Sequence, residues 1–168
     1  MKLLKAMVVA SIGLGLGQMA LAGASEYDNV KLPCAILKDG KVLKQQICLA
    51  SGFEHGNMYG GGYGWSFNVQ GYGKIRLDAG TTFKTDANDE LMVDKHGEAI
   101  EDESWTNLNG KPANIRLRMP KTFVLLNEAQ ENQYYEGELN IRPYTCWYFS
   151  QKTHMAFDEV CYFDDRYL

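Results

Sequence analysis

Four cysteines, three histidines and one dense run of carboxylates are the residues of this chain whose types could do chemistry. Cys34 and Cys48 bracket two apolar runs, Ala35-Ile36-Leu37 and Val42-Leu43, that lie either side of Lys38-Asp39-Gly40-Lys41. An Asp-Gly pair between apolar runs signals a hairpin. Cys146 and Cys161 sit in a second, aromatic-rich pair of runs, Tyr144-Thr145-Cys146-Trp147-Tyr148-Phe149 and Val160-Cys161-Tyr162-Phe163. No Cys-x-x-Cys spacing occurs, which favours paired thiols over a metal site, and a paired cysteine is no nucleophile. Four thiols allow three pairings. The hairpins favour Cys34 with Cys48 and Cys146 with Cys161, while the rival pairings, which would staple the first hairpin to the last, stay open.

His55, His96 and His154 fall in expected loops or turns without His-x-His or His-Glu-x-x-His spacing, and no serine sits in a Gly-x-Ser-x-Gly frame. The carboxylates Asp86, Asp89, Glu90, Asp94, Glu98, Glu101, Asp102 and Glu103 invite a calcium loop. Counting from Asp86, Leu91 stands where glycine makes the sharp turn and Gly97 where a bidentate carboxylate belongs. A glycosidase needs two carboxylates about 5 Å apart in the retaining case, one with its pKa raised by burial; these cluster where water reaches them. The expectation is no enzyme, no metal and no cofactor, with a solvated acidic face suited to a basic protein.

Residues 49–64 combine glycines with aromatics and read as a flexible surface loop. The phosphate-cradling alternative lacks a Lys-Ser or Lys-Thr opening a helix. Tyr59 and Tyr63, with Trp65 just beyond, are candidate anchors for a partner's pocket or for stacking on a sugar.

The remaining chain must position these groups, and its turn signals recur at short intervals. Trp65 to Gln70 alternates like a strand, Gly71-Tyr72-Gly73 precedes Lys74 to Leu77, and Asp78-Ala79-Gly80 precedes Thr81 to Phe83. Asp94-Lys95-His96-Gly97 divides Leu91-Met92-Val93 from Glu98-Ala99-Ile100. Beyond Asn109-Gly110, Ile115, Leu117 and Met119 alternate with Asn114, Arg116 and Arg118, which predicts a half-buried strand with both arginines toward solvent. Phe123 to Leu126 reads as a buried strand, and Asn127 to Gln133 as the one short helix. The fold class is therefore mainly β, an antiparallel sandwich or barrel with at most one short helix and two disulfide-closed hairpins.

Residues 1–22 have the three parts of a secretory signal: Lys2 and Lys5, an apolar core from Ala6 to Ala20, and small residues in Ala20-Leu21-Ala22. The apolar run is shorter than the roughly 20 residues of a membrane span. Removing it leaves 168 − 22 = 146 residues, 23–168, one domain able to bury a core. Its charge is (17 − 2) − 21 = −6, which argues against nucleic acid or anionic lipid and for a basic partner. Stable membrane insertion is not expected.

In Cys34-Ala35-Ile36-Leu37-Lys38-Asp39-Gly40-Lys41-Val42-Leu43, and in Cys146-Trp147 with Val160-Cys161-Tyr162, the chain resembles small exported bacterial proteins with paired-cysteine hairpins. These include periplasmic lysozyme inhibitors and immunity proteins that neutralise peptidoglycan-cleaving effectors. The resemblance lies in the two ends and implies a periplasmic protein that binds a cell-wall-degrading enzyme. The alternative function is a glycan-binding or envelope-associated module using the Gly/Tyr-rich segment.

Overall fold

A computed structural model describes residues 23–163; the expected signal segment lies outside the described residues. Eight strands follow in order: β1 (Gly23–Lys38), β2 (Lys41–Asn57), β3 (Gly60–Val69), β4 (Gly73–Phe83), β5 (Glu101–Leu108), β6 (Lys111–Arg118), β7 (Tyr144–Phe149) and β8 (Glu159–Tyr162). Each pairs antiparallel with the next, and β8 returns to β1, so the sheet closes into a barrel. Of the two expected architectures, sandwich and barrel, the chain adopts the barrel. Asp39-Gly40 and Asn109-Gly110 take positive φ at both residues, 49° and 75°, then 52° and 71°. That is the geometry a two-residue hairpin needs to match strand twist.

Alternation places Leu32, Cys34, Ile36, Phe67, Val69, Ile75, Leu77, Leu108, Trp147, Phe149, Val160 and Tyr162 inside, where they fill an eight-stranded barrel. One end is plugged: Phe157, on the β7–β8 connection, packs between Tyr72 and Phe149. The opposite end carries the long β4–β5 and β6–β7 connections. The Cys34-Ala35-Ile36-Leu37 run is buried on both faces because a second, outer cluster covers Ala35 and Leu37, built from Phe123, Tyr144, Cys146 and Cys161.

The two disulfides join the pairs that the hairpins favour. Cys34–Cys48 links diagonal neighbours on the inner face of β1 and β2, with Cα atoms 5.9 Å apart. Cys146–Cys161 links residues directly opposite on the outer face of β7 and β8, at 4.0 Å. Disulfides of this kind belong to an oxidising compartment outside the cytoplasm. No helix among the described residues is long and apolar enough to cross a membrane.

Helix α1 (Glu128–Tyr135) forms as expected, started by a capping box in which Asn127 and Gln130 each accept from the other's backbone N–H. It buries no residue. Phe123 to Leu126 is not a buried strand: Phe123 and Leu126 are covered while Val124 and Leu125 are exposed. Asp78-Ala79-Gly80 is not a turn but the middle of β4. His55 likewise lies within β2 rather than in a loop.

Arg116 and Arg118 do point to the outer side of β6, but that side is not solvent. Glu159 on β8 is fully buried there and receives both guanidiniums: Arg116 Nε at 2.9 Å, Arg118 Nε at 2.6 Å and Arg118 Nη2 at 2.8 Å, with Arg116 Nη2 also bound. Arg118 further donates to the Phe123 carbonyl, and Arg116 lies 4.3 Å over the Tyr148 ring. Burial alone would raise the Glu159 pKa, and the Arg118 and Arg116 guanidiniums overcome that, holding the carboxyl below the ordinary range. Glu159→Gln leaves two cations facing a neutral amide and should cost about 3–5 kcal/mol in denaturant unfolding. Because the folded pKa is depressed, the Glu159 contribution is complete above the unfolded value near pH 4.3 and is lost as pH falls through the folded value. Stability of the native chain should therefore drop below about pH 4 by an amount the variant lacks. A variant within 1 kcal/mol of native at pH 7 contradicts this.

Candidate functional site

The barrel wall is incomplete at one seam. β5 and β6 are joined by only two residue pairs, Asn107 with Pro112 and Leu108 with Lys111, whereas neighbours elsewhere pair over at least four. Pro112 has no N–H to offer a ladder. Past Thr106 and Ala113 the two strands part: β5 continues along β4 and β6 along β7. A cavity of about 440 Å³ occupies this split and the adjoining open end of the barrel. Ser104, Trp105 and Thr106 form one lip and Ile115 the other. Ile115, expected to be half-buried with Leu117, is 37% exposed for this reason.

The far wall is made of glycine. Residues 49–64 are not a surface loop; 49–57 complete β2 and 60–64 begin β3, turning at Met58 and Tyr59. Glycine is depleted in strands because it has no side chain to pack, which is why the segment reads as a loop. Here the missing side chains are required. A Cβ on Gly64 would come within 2.6 Å of both the Leu77 carbonyl and the Phe53 ring, and one on Gly62 within 2.9 Å of the Ala79 carbonyl. The Trp105 ring lies against Gly80 in the same way, and Gly61, Gly62 and Gly80 line the cavity.

Its polar groups come from four strands: Glu54 and His55 on β2, Tyr63 on β3, Thr81 on β4, Ser104 and Thr106 on β5. The Tyr27 hydroxyl lies 3.5 Å from Glu54, and His55 stacks on Phe53 at 5.8 Å. Tyr63 stands edge-on to Trp147 at 6.1 Å, and Trp147 is also the cross-strand partner of Ile115. The buried Trp147 indole N–H directly behind this lining has no hydrogen-bond acceptor among the described residues. Burial pushes the Tyr63 phenol up, and the nearby Tyr135 hydroxyl, at the end of α1, adds to the shift. Among the described residues, one carboxylate and no lysine or arginine line the cavity.

The eight carboxylates flank it. Asp86, Asp89, Glu90, Asp94 and Glu98 lie on the β4–β5 connection, and Glu101, Asp102 and Glu103 open β5 immediately before Ser104; all eight are exposed. The connection is a tandem of two turns with an eight-residue repeat. Asp86 Oδ1 accepts from the N–H of Asn88 at 2.8 Å and Glu90 at 3.0 Å, and Asp94 Oδ1 from His96 and Glu98 at the same distances. The Glu90 and Asn88 amides hold the Asp86 carboxyl below the ordinary range. Backbone bonds from Lys84 to Ile100, Met92 to Lys84 and Ile100 to Met92, 2.8–2.9 Å, close the two turns on each other. The repeat was available in the sequence as Asp86-x-Asn88-x-Glu90-Leu91 against Asp94-x-His96-x-Glu98-Ala99.

Of the aromatic candidates, Tyr63 lines the cavity, Tyr59 sits at the β2–β3 turn, and Trp65 is a core residue stacked on Tyr27. Glu54, Thr81, Ser104, Trp105, Thr106 and Ile115 carry no local signal, since only the closed topology brings them together. Among the described residues the one group of three possible metal ligands is Cys146, Glu159 and Cys161, two of which form the disulfide. The chain matches no protein-family model, no curated protein and no solved structure. The Tyr63 environment is directly measurable: in an alkaline absorbance titration, Tyr63→Phe should remove a phenolate component titrating above the ordinary value of about 10. Loss of a component at or below 10 contradicts a partly desolvated Tyr63 hydroxyl.

Proposed function

We propose that the chain is an exported periplasmic binding protein that neutralises a basic cell-wall-degrading enzyme by direct docking at its acidic open end, as an inhibitor or immunity protein. The observation that carries this is where the charge lies. Residues 84–103 hold eight carboxylates against Lys84 and Lys95, a net −6, which equals the net charge of residues 23–168. The rest of the domain is neutral in sum, so its net charge resides on the arm that leads into the cavity lip. Such a field accelerates encounter with a basic surface. The disulfides support the exported location, and the signal-like residues 1–22 support the periplasm. The reading needs no catalytic group.

A second reading, a glycan-binding or envelope-associated module, is favoured by the cavity lining itself, where Tyr63 and Trp105 accompany the hydroxyls of Thr81, Ser104 and Thr106. The two separate by salt. Glu90→Gln, Glu98→Gln, Asp102→Asn and Glu103→Gln together remove four charges while sparing Asp86 and Asp94, whose side chains hold the turns. With a basic lysozyme as probe, this variant should associate at least tenfold more slowly at low salt. It should associate at nearly the native rate near 0.5 M, where the screening length is about 4 Å. Dissociation should change little. Binding to isolated peptidoglycan that ignores these substitutions, with no docking of basic lysozymes at any salt, replaces the inhibitor reading with the glycan one.

A further inference from the structure

We infer that the β5–β6 split is a strand acceptor: the free edge of β5, at Ser104 and Thr106, takes an extended basic segment of the partner as an added antiparallel strand. This rests on the docking reading and names the mode of its central contact. Backbone direction is the first observation. In an antiparallel ladder successive residues turn their N–H and C=O to opposite sides. The Asn109 N–H donates to the Arg76 carbonyl at 2.8 Å, so Asn107, Trp105 and Glu103 also face β4, opposite Asp78, Gly80 and Thr82. Leu108, Thr106 and Ser104 therefore face the other way, toward β6. Leu108 meets Lys111 there, but the Ser104 backbone and the Thr106 N–H have no backbone partner among the described residues. On β6 the Ser150 N–H donates to the Pro112 carbonyl at 3.0 Å, which turns Pro112, Asn114 and Arg116 toward β7 and Ile115 toward the split. Ser104 and Ile115 are both exposed. Unpaired N–H and C=O groups along an accessible strand are the template on which another extended chain adds.

Charge selects the occupant. The free edge opens with Glu101-Asp102-Glu103 and follows directly on the connection that carries Asp86 to Glu98. A second copy of this chain would bring the same carboxylates to the same edge, which is how charged edges resist self-pairing. A basic strand turns that repulsion into attraction, since opposite charges on directly paired positions are favourable. Side chains of an added strand alternate between the two faces. Those opposite Ser104 and Thr106 point inward, into the cavity of about 440 Å³ beside Thr81 and Ile115. Those opposite Glu103 and Trp105 point outward, where the Glu103 carboxylate is exposed and the Trp105 ring lies over Gly80. The segment that fits therefore alternates small apolar residues with lysine or arginine. β1 before Pro33 also lacks a β8 neighbour among the described residues, but it carries Glu26, Asp28 and Lys31 and selects no such charge.

The test uses a six-residue peptide that alternates valine with lysine, blocked at both ends, titrated into the isotopically labelled chain. Two comparison peptides carry glutamate in place of lysine, or N-methylvaline in place of valine; the second keeps every charge and removes the N–H groups that would bond β5. Nuclear magnetic resonance follows the Ser104 and Thr106 amides. The lysine peptide should shift both saturably, slow their exchange with solvent and give cross-strand contacts to Ser104. The glutamate and N-methylvaline peptides should each bind at least tenfold more weakly. Ser104→Pro deletes an edge N–H that faces away from β4 and should weaken the lysine peptide at least tenfold; the N-methylvaline comparison serves if that variant does not fold. Equal binding of the N-methylvaline peptide overturns the inference, as do shifts confined to residues 23–32 or an absence of shifts at Ser104 and Thr106. Strand addition here while rim neutralisation leaves lysozyme association unchanged would retain the acceptor and remove the docking reading. Salt-dependent docking of lysozyme with no protection of the Ser104 and Thr106 amides would do the reverse.

Discussion

Closing an eight-stranded sheet requires its first and last strands to pair, and here that closure depends on a strand of four residues, Glu159 to Tyr162. All four are buried. Val160 and Tyr162 reach into the barrel core, while Glu159 and Cys161 reach outward, one into the Arg116–Arg118 pair and the other into a disulfide with Cys146. A strand this short has few ladder bonds, so its outward side chains tie it across β7 to β6 and covalently to β7. Without Glu159 the outer layer would hold two guanidiniums with no counter-charge, which is the costly half of a buried ion pair.

That reinforcement contrasts with the seam on the other side of β6. Neighbouring strands elsewhere pair along four residues or more, but β5 and β6 meet at two, and the facing strands carry Gly61, Gly62 and Gly80 along the cavity. Gly62, Gly64 and Gly80 take the outer side of β3 and β4, and their missing side chains let His55, Phe53 and Trp105 lie against the outer wall. Among the described residues the barrel is thus packed tightly at the end plugged by Phe157 and less filled at the end that carries the acidic arm. One sheet serves both purposes because inward positions can be bulky on Leu77 and Leu108 yet small on Ala79, a few residues along the same wall.

What the sequence discloses follows the range of each interaction. Asp39-Gly40, Asn109-Gly110 and the Asn127/Gln130 cap are local devices, and the structure uses each as the residues suggest. The cysteine pairs are legible because each spans one hairpin. Arg116 and Arg118 mislead, since alternation reports which side of a strand a residue takes but not what covers that side; the covering residues, Glu159 and Phe123, come from elsewhere in the chain. Residues 49–64 mislead for a related reason: glycine lowers strand propensity locally, while the approach of Phe53 and of the Leu77 carbonyl demands it. The cavity was invisible because its lining comes from five strands and no two of them show a motif. The acidic arm was visible in composition and its double turn in the eight-residue repeat from Asp86 to Asp94, but its place beside the seam was not.

The β5 lip and acidic arm are the proposed meeting place for a partner. The chain also has an exposed apolar stripe on the outer side of β2, at Leu43, Ile47, Leu49 and Phe53, which could compete for that role. Amide hydrogen exchange of the native chain, with and without a saturating basic lysozyme, distinguishes them directly. The expected result is slowed exchange in residues 84–106 and at Ile115, with the β2 stripe unchanged. Protection confined to residues 43–53, or no change anywhere on a complex shown to have formed, would contradict the claim.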